Sequence, residues 1–240
     1  MRIHDILAST DHRPWPLPSG PWRYYQEWNR ALFLHWQAEY ELLRPLVPVA
    51  LQIDCYAGTP WVSLVAFDMQ NIRPRGIPAF PPISDFHEIN IRTYVRHKDR
   101  TGVYFLSIEG GKRVSCLIAK TLSGLPYRYA DMQRDVNRLN SKNASFEDRF
   151  AADYLTGPTP AYKSALDKWL TERYALFQDH QYALDRYEIH HIEWPVYHLE
   201  LRSLQVDYPR FRNLLKGSPD LTHYSSGVQV LAWSKLNALK

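Results

Sequence analysis

Hydrophobic and polar residues alternate along several short stretches of the chain, as expected for strands that bury one face. The alternation is clearest over residues 51–56 and 87–96, where one set of alternate side chains is mostly apolar. A more hydrophobic run at residues 61–69 follows a turn at Gly58 and completes a predicted hairpin. Further strands or extended segments are predicted at residues 31–36, 103–108, 127–134, 182–191, 196–204 and 228–233.

Short helices are predicted where apolar residues recur at helical spacing or where helix-capping residues occur. Thr159 and Pro160 suit the N-cap and the first helical position, and an apolar face follows as far as residue 177. Periodicity leaves residues 114–122 open between a strand and a helix. The other predicted helices are residues 1–9, 39–46 and 211–216.

Proline-rich stretches separate these elements. Residues 13–22 hold four prolines and two tryptophans and are expected to form an extended arm on the domain, whereas residues 71–82 are expected to be a loop. Helices and strands do not alternate along the chain, which favours an α+β fold with a mainly antiparallel sheet. We expect residues 1–240 to form a single domain, in which residues 1–27 are the N-terminal helix and arm.

Composition narrows the class of protein. The net charge of +4 over 240 residues is weak evidence for a polyanionic partner. No stretch resembles a membrane-spanning helix or a secretory signal, so we expect a cytoplasmic protein with no membrane partner. Cys55 and Cys116 lie in apolar stretches, and free thiols are favoured over the one disulfide that they could form.

A row of polar side chains on residues 87–96 is the most informative chemical feature. Glu88, Asn90, Arg92, Tyr94 and Arg96 share one face of the predicted strand. Half of any antiparallel strand can face solvent, and a solvated face is one interpretation. The other is the lining of a cavity, where a carboxylate and guanidinium groups do acid–base work or hold a carboxylate ligand. The absence of lysine from the row favours the cavity.

Other functional motifs are weak or missing. The histidines, including the adjacent His190 and His191, have no metal-ligand spacing, so no metal site is expected. Nucleotide-binding loops and nucleophile elbows are also missing, and no cofactor is expected. Basic and aromatic residues at 23–25, 128–129 and 210–212 could stack single-stranded nucleic acid. Because they are scattered and matched by acids, a nucleic-acid partner is not expected.

Several sequence blocks together are similar to a known family. They are RALFLHWQAEYELLRPLVP from residue 30, NIRPRGIP from residue 71, EINIRTYV from residue 88, GVYFLS from residue 102, GLPY from residue 124 and HYSSGV from residue 223. In this respect the chain resembles the YqjF-like family of uncharacterised bacterial proteins, which is grouped with the acetoacetate-decarboxylase-like superfamily. The resemblance implies a curved sheet, or β-cone, that encloses a ligand cavity and carries short peripheral helices.

The resemblance also suggests site residues. Decarboxylases of the superfamily form a Schiff base through a lysine in a glycine–aromatic–proline–lysine turn, and here Tyr127 takes the place of that lysine. Lys120 corresponds to an arginine of a nearby element, and a relocated Schiff-base lysine at Lys120 is an alternative. Glu88 matches a pocket glutamate, and Arg30 matches a pocket arginine. Acetoacetate decarboxylation is therefore not expected.

The combined expectation is a cavity for a small organic acid or carbonyl compound. Glu88 is the candidate acid or base, and Tyr127 and Lys120 are candidates to contact the carbonyl end. The candidate substrate-binding residues are Arg30, Arg92, Tyr94 and Asn90. An enzyme of this kind would be a lyase or a hydrolase. A non-catalytic binding or sensing protein and a nucleic-acid-binding module stay as alternatives, and a homo-oligomer stays open.

Overall fold

A computed structural model describes residues 2–180 and 183–239. Its helices are α1 (Ile3–Ala8), α2 (Tyr40–Leu43), α3 (Pro81–Ser84), α4 (Arg113–Ser123) and α5 (Ala165–Thr171), with 3₁₀ turns at Arg44–Leu46 and Pro209–Phe211. The strands are β1 (Tyr24–Gln37), β2 (Gln52–Ile53), β3 (Cys55–Tyr56), β4 (Thr59–Pro74), β5 (Phe86–His97), β6 (Arg100–Gly110), β7 (Arg128–Tyr129), β8 (Asp131–Arg134), β9 (Arg138–Asn143), β10 (Asp148–Pro160), β11 (Ala175–His180), β12 (Ala183–His190), β13 (Val196–Asp207), β14 (Leu221–Ala232) and β15 (Leu236–Asn237).

The sheet is mainly antiparallel and closes on itself. Its order runs β12-β11-β6-β5-β4-β1-β14, and β14 pairs with β12 through Ile189–Ala232 and His190–Leu231, which completes a ring of seven strands. Beyond β14 the sheet continues through β13, β10, β9 and β8. The fold is therefore an α+β architecture in which a curved antiparallel sheet carries a few short helices, as the sequence predicts.

The two faces of the ring have different neighbours. Leu32 and Leu34 of β1 and Ile89 of β5 belong to a large hydrophobic core that also includes Phe150 and Tyr154 of β10. The outer face of β1, β4 and β5 is thus covered by the second part of the sheet. The alternate residues of the same strands face into the ring. They include Phe33, Val65, Phe67, Met69 and Phe86.

Helices close one end of the ring and border the other. Leu170 of helix α5 packs against Trp61, near the start of β4, and Tyr94, near the end of β5. At the opposite end, the segment that joins β4 to β5 and helix α4 surround an opening. Among the described residues, no helix has the length and apolar character needed to cross a membrane.

Most predicted strands are present, and several are longer than expected. Residues 71–82 are not all loop, because β4 continues to Pro74 before the chain leaves the sheet. Residues 114–122, left open from sequence, lie in helix α4. The predicted helix at 211–216 is replaced by a 3₁₀ turn at Pro209–Phe211. Tyr182, the first residue of one predicted strand, lies outside the described residues.

The predicted helix from Thr159 begins too early. Pro160 is the last residue of β10, and α5 starts at Ala165. The helix begins there because Ser164 and Asp167 form a capping box, in which the Ser164 hydroxyl accepts a hydrogen bond from the Asp167 backbone N–H at 3.2 Å. A proline at the first helical position is therefore the weaker signal in this segment.

The N-terminal helix and arm form as predicted and are anchored to the ring. Ile6 of α1 packs with Tyr25 and Trp233. In the arm, the buried Arg13 donates to the Glu188 carboxylate at 3.0 Å, and Trp15 donates to the same oxygen. Both cysteines are free thiols, as the sequence favours.

Candidate functional site

A pocket of about 690 Å³ occupies the interior of the ring and opens between α4 and the β4–β5 connection. Pockets of this size hold drug-sized molecules. Glu88, Asn90 and Arg92, from the row singled out in the sequence, line it together with Tyr127. Most of the remaining wall is apolar. Its aromatic part includes Trp28, Phe33, Phe67, Phe86, Phe105 and Trp194.

Glu88 is a buried carboxyl group that has no cationic partner among residues 2–180 and 183–239. Its side chain is 2% exposed, and Tyr127 donates a hydrogen bond to Oε2 at 2.7 Å. The Asn90 amide donates to Oε1 at 3.2 Å. Both donors are uncharged. Burial therefore raises the pKa of Glu88 from its ordinary value of 4.5 to about 7, although the two hydrogen bonds oppose the rise.

Tyr127 keeps its proton in this environment. Burial and the neighbouring Glu88 carboxyl raise the pKa of the phenol well above its usual value of 10. The phenol is thus a permanent hydrogen-bond donor beside an acid that titrates near neutral pH. This is the pairing that acid–base chemistry at a carbonyl group needs.

The turn after α4 places Tyr127 beside Glu88. Gly124 ends the helix in the left-handed conformation, with φ of 75°, which only glycine adopts without strain. The chain then enters β7, which runs parallel to β6 and pairs Tyr129 with Gly110. Since Gly110 is also the partner of Glu88 across β5 and β6, the turn delivers the phenol to the carboxyl group.

Arg92 lies deeper in the ring. Its side chain is buried above the Phe33 ring, at 5.7 Å from the guanidinium carbon to the ring centre. Nη2 donates to the Leu170 carbonyl at 3.3 Å, and Nε is buried without a hydrogen-bond partner. Within the described ranges Arg92 forms no ion pair, and Glu172, whose negative charge acts on it, pairs with Lys163 at 2.5 Å. A buried guanidinium of this kind favours an anionic ligand.

The other two members of the row have different roles. Arg96 is exposed and pairs with Asp54 at 3.3 Å, outside the pocket. Tyr94 is fully buried but does not line the pocket, so we correct its assignment as a substrate-binding residue. Its hydroxyl lies 2.6 Å from the Ser63 hydroxyl and 2.9 Å from the Leu170 carbonyl oxygen, which also accepts from Arg92.

A chain of buried polar groups continues below Arg92. Ser63 Oγ lies 2.7 Å from His35 Nδ1, and His35 Nε2 lies 3.1 Å from His223 Nδ1. His223 Nε2 then meets an Asp167 carboxylate oxygen at 2.9 Å. The carboxylate selects the tautomer in which each histidine donates through Nε2 and accepts through Nδ1. Burial, with His223 and Arg92 nearby, lowers the pKa of His35 well below its usual value.

Removing the Ser63 hydroxyl should destabilise the fold. In Ser63→Ala, the His35 ring loses its donor, and we expect the free energy of unfolding to fall by about 1–3 kcal/mol, as for other buried polar groups left unpaired. Urea denaturation at pH 7.5 measures the change. Ser203→Ala, which removes an exposed hydroxyl bonded to Asp153, serves as the control and should change stability by less than about 0.5 kcal/mol. Equal effects of the two substitutions would contradict the role given to this chain of groups.

Two further candidates from sequence lie outside the pocket. Arg30 has a left-handed backbone, with φ of 51°, at a break in the β1–β4 register. The break turns its side chain to the outer face, where Nε pairs with Asp68 at 2.5 Å. Lys120 is exposed on α4 and does not line the pocket. We therefore place neither residue in the site.

Two of the arginines considered for nucleic acid make contacts within the fold. Arg128 and Arg210 both stack on Phe146, at 4.5 and 4.2 Å, and Arg210 also pairs with Asp148 at 2.8 Å.

Sequence reasoning missed His191 and Trp194, which line the pocket. The only signal for them was the adjacency of His190 and His191, which predicts opposite faces. His190 indeed bonds to the Ile6 carbonyl, away from the pocket.

Comparison with known proteins identifies the family. The model of family DUF2071, described as an uncharacterized conserved protein, matches residues 25–229. The chain belongs to this family. It is 37% identical over 227 residues to the uncharacterized protein YqjF of Bacillus subtilis, and the match covers 90% of this chain and 93% of that protein.

Solved structures of the same fold are remote in sequence. Acetoacetate decarboxylase from Legionella pneumophila is 15% identical, with a TM-score of 0.57 over 95% of this chain and 92% of that one. The enduracididine biosynthesis enzyme MppR, solved in complex with pyruvate, is 9% identical, with a TM-score of 0.58 over 94% and 93% of the two chains. These similarities establish an acetoacetate-decarboxylase-like fold for this family member.

Proposed function

We propose that the pocket binds a small organic acid that also carries a carbonyl group, and that Glu88 exchanges a proton with it. The observation that carries the proposal is the presence in one pocket of a buried carboxyl with a pKa of about 7, a phenol donor and an unpaired guanidinium. A solved complex of the similarly folded MppR with pyruvate supports a keto acid as the ligand class.

The positions of the groups suggest how the acid lies. Glu88 and Arg92 are four residues apart on one strand, so their Cα atoms are separated by about 13 Å. Both side chains line the same pocket, and in this proposal the ligand bridges them. A carboxylate on Arg92 leaves the carbonyl oxygen near Tyr127 and the adjacent carbon near Glu88. The apolar wall then accepts the rest of the molecule, which excludes bulk water from the reacting carbon.

The proposed step is proton abstraction next to the carbonyl group. Ionised Glu88 takes a proton from the carbon, and the electron pair of the C–H bond moves into an enolate. The Tyr127 hydroxyl, which donates to Glu88 in the free protein, turns to donate its hydrogen bond to the enolate oxygen instead. Return of the proton from Glu88 restores the acid. A pKa of about 7 makes both forms of Glu88 available at neutral pH.

No Schiff base is part of this mechanism. The lysine that does line the pocket, Lys235, lies near its opening and pairs with Asp185 at 2.7 Å. Borohydride reduction in the presence of pyruvate or acetoacetate should therefore leave no adduct on any lysine, as shown by mass spectrometry. An adduct would show that an amine carries the chemistry.

Exchange of carbon-bound protons tests the proposed function. With 2-oxobutanoate in D₂O, wild-type protein should accelerate loss of the C3 proton signals in NMR, and Glu88→Gln should slow this exchange by about 10²–10⁴-fold. Tyr127→Phe should slow it less. If wild-type protein binds the acid but gives background exchange, the protein is a non-catalytic binding protein. Absence of both binding and exchange would contradict the proposal.

A further inference from the structure

The rim of the pocket combines exposed apolar side chains with positive charge. Ile77 and Phe80, from the β4–β5 connection, line the opening and are 56% and 61% exposed. Val114 and Leu117 of α4, the helix that borders the same opening, are 57% and 66% exposed. Ser115, Ile118 and Ala119 of the same helix line the pocket, so the exposed α4 residues lie beside its opening. Folded proteins seldom expose several large apolar side chains in one region unless that surface is used for binding. We call these four residues the apolar rim.

The two rim segments contain more cations than acids. Residues 69–85 and 110–124 include five basic residues and one acid, in a chain whose total net charge is only +4. The acid is Asp85, which accepts hydrogen bonds from the Asn71 backbone N–H at 2.9 Å and the Ser84 hydroxyl at 2.6 Å. Within the described part of the chain none of the five forms an ion pair, and three of the guanidinium groups stack on aromatic rings instead. The basic residues are Arg73, Arg75, Lys112, Arg113 and Lys120.

We propose that the apolar rim docks on a lipid bilayer that contains anionic lipids. Exposed Phe and Leu side chains insert at the level of the acyl chains, while neighbouring Lys and Arg side chains meet the head groups. The pocket opens within this surface, so an acid with an apolar tail can pass between the bilayer and the pocket without crossing water. The proposal goes beyond the function suggested above, because docking needs no acid in the pocket.

The charge pattern argues against a second copy of the chain as the occupant. A two-fold contact places the same surface patch on both subunits, so the basic residues of one rim would face those of the other. The expectation of no membrane partner rested on the lack of a membrane-spanning stretch, and that property does not bear on contact with a membrane surface.

Vesicle sedimentation tests the proposal. Wild-type protein should bind vesicles of phosphatidylcholine with about one-third phosphatidylglycerol at least tenfold more strongly than vesicles of phosphatidylcholine alone. Raising the salt from ~0.05 to ~0.5 M should weaken the binding. The double variant Phe80→Asp/Leu117→Asp should lose at least tenfold in binding. The rim side chains are exposed, so these substitutions leave the core unchanged.

Matched controls make the result specific. Val49→Asp and Tyr162→Asp alter apolar side chains that are 98% and 95% exposed, away from the rim, and should bind as wild type does. Arg92→Met should also bind vesicles normally, so a failure of the proposed acid site is distinguishable from a failure of docking. If the wild-type protein does not bind anionic vesicles, the proposal is overturned, and an acidic protein is then the alternative partner for this surface. The proposal is also overturned if the Phe80→Asp/Leu117→Asp variant binds anionic vesicles as strongly as the wild-type protein does.

Discussion

Replacing Glu88 by Gln should raise the free energy of unfolding by about 3 kcal/mol at pH 8 and leave it almost unchanged at pH 4. The pKa of Glu88 is about 7 in the folded protein and 4.5 when unfolded. Below pH 4.5 the Glu88 carboxyl is protonated in both the folded and the unfolded state, so its burial as a charged group does not lower the free energy of unfolding. Between pH 4.5 and 7 the unfolded state ionises while folded Glu88 keeps its proton, so the wild type loses stability as the pH rises. Above pH 7 both states are ionised and the loss stays constant. Gln keeps an acceptor for Tyr127 and carries no charge.

Urea denaturation of both proteins between pH 4 and pH 8.5 measures this effect. Other groups also titrate, and burial lowers the pKa of His190 to about 4, so the wild-type curve alone is not sufficient. The difference between the two proteins isolates Glu88. Glu200→Gln, at a side chain that is 51% exposed, provides the control and should give a difference below about 0.5 kcal/mol. Parallel curves for wild type and Glu88→Gln would show that Glu88 has an ordinary pKa.

Replacing Arg92 by Met should weaken the binding of phenylpyruvate by about 100-fold, which corresponds to roughly 3 kcal/mol. No carboxylate in the described part of the chain pairs with this guanidinium, so the ligand's carboxylate is expected to complete its interactions. The same substitution should not lower the free energy of unfolding, because it removes a buried charge that is unpaired in the free protein. Titration calorimetry and urea denaturation measure the two effects.

Arg30→Met is the matched control for Arg92→Met. Arg30 pairs with Asp68 on the outer face, and Asp68 keeps contacts to His87 and Arg134 when Arg30 is lost. Affinity for phenylpyruvate should therefore stay within about twofold of wild type. If Arg30→Met weakens binding as much as Arg92→Met does, the assignment of the anion site to Arg92 is wrong.

The strands of the site could be predicted from alternation, but the direction of their faces could not. A period of two separates Glu88, Asn90 and Arg92 from Ile89 and Ile91 without saying which set meets solvent. In the folded protein neither set of side chains is exposed to solvent. The isoleucines pack against the second part of the sheet, and the polar residues face the pocket. Burial on both sides depends on how the sheet curves, which is a long-range property.

Local features explain why two candidate residues from the sequence lie outside the pocket. The family resemblance suggested Arg30, yet the positive φ of this residue turns its side chain to the outer face. Lys120 lies on the exposed face of α4. The hydrophobic periodicity of this segment did not decide between a strand and a helix, so the direction of the Lys120 side chain could not be predicted. The chain from Ser63 through His35 and His223 to Asp167 escaped detection because its members lie far apart in sequence and form no local motif.

A crystal structure with bound phenylpyruvate tests the central claim most directly. We predict that the carboxylate lies within ~3.2 Å of the Arg92 guanidinium, the keto oxygen within hydrogen-bond distance of Tyr127 and the methylene carbon beside Glu88. A ligand in the pocket with its carboxylate directed to the opening, or a pocket without ligand at saturating concentration of the acid, would contradict the account.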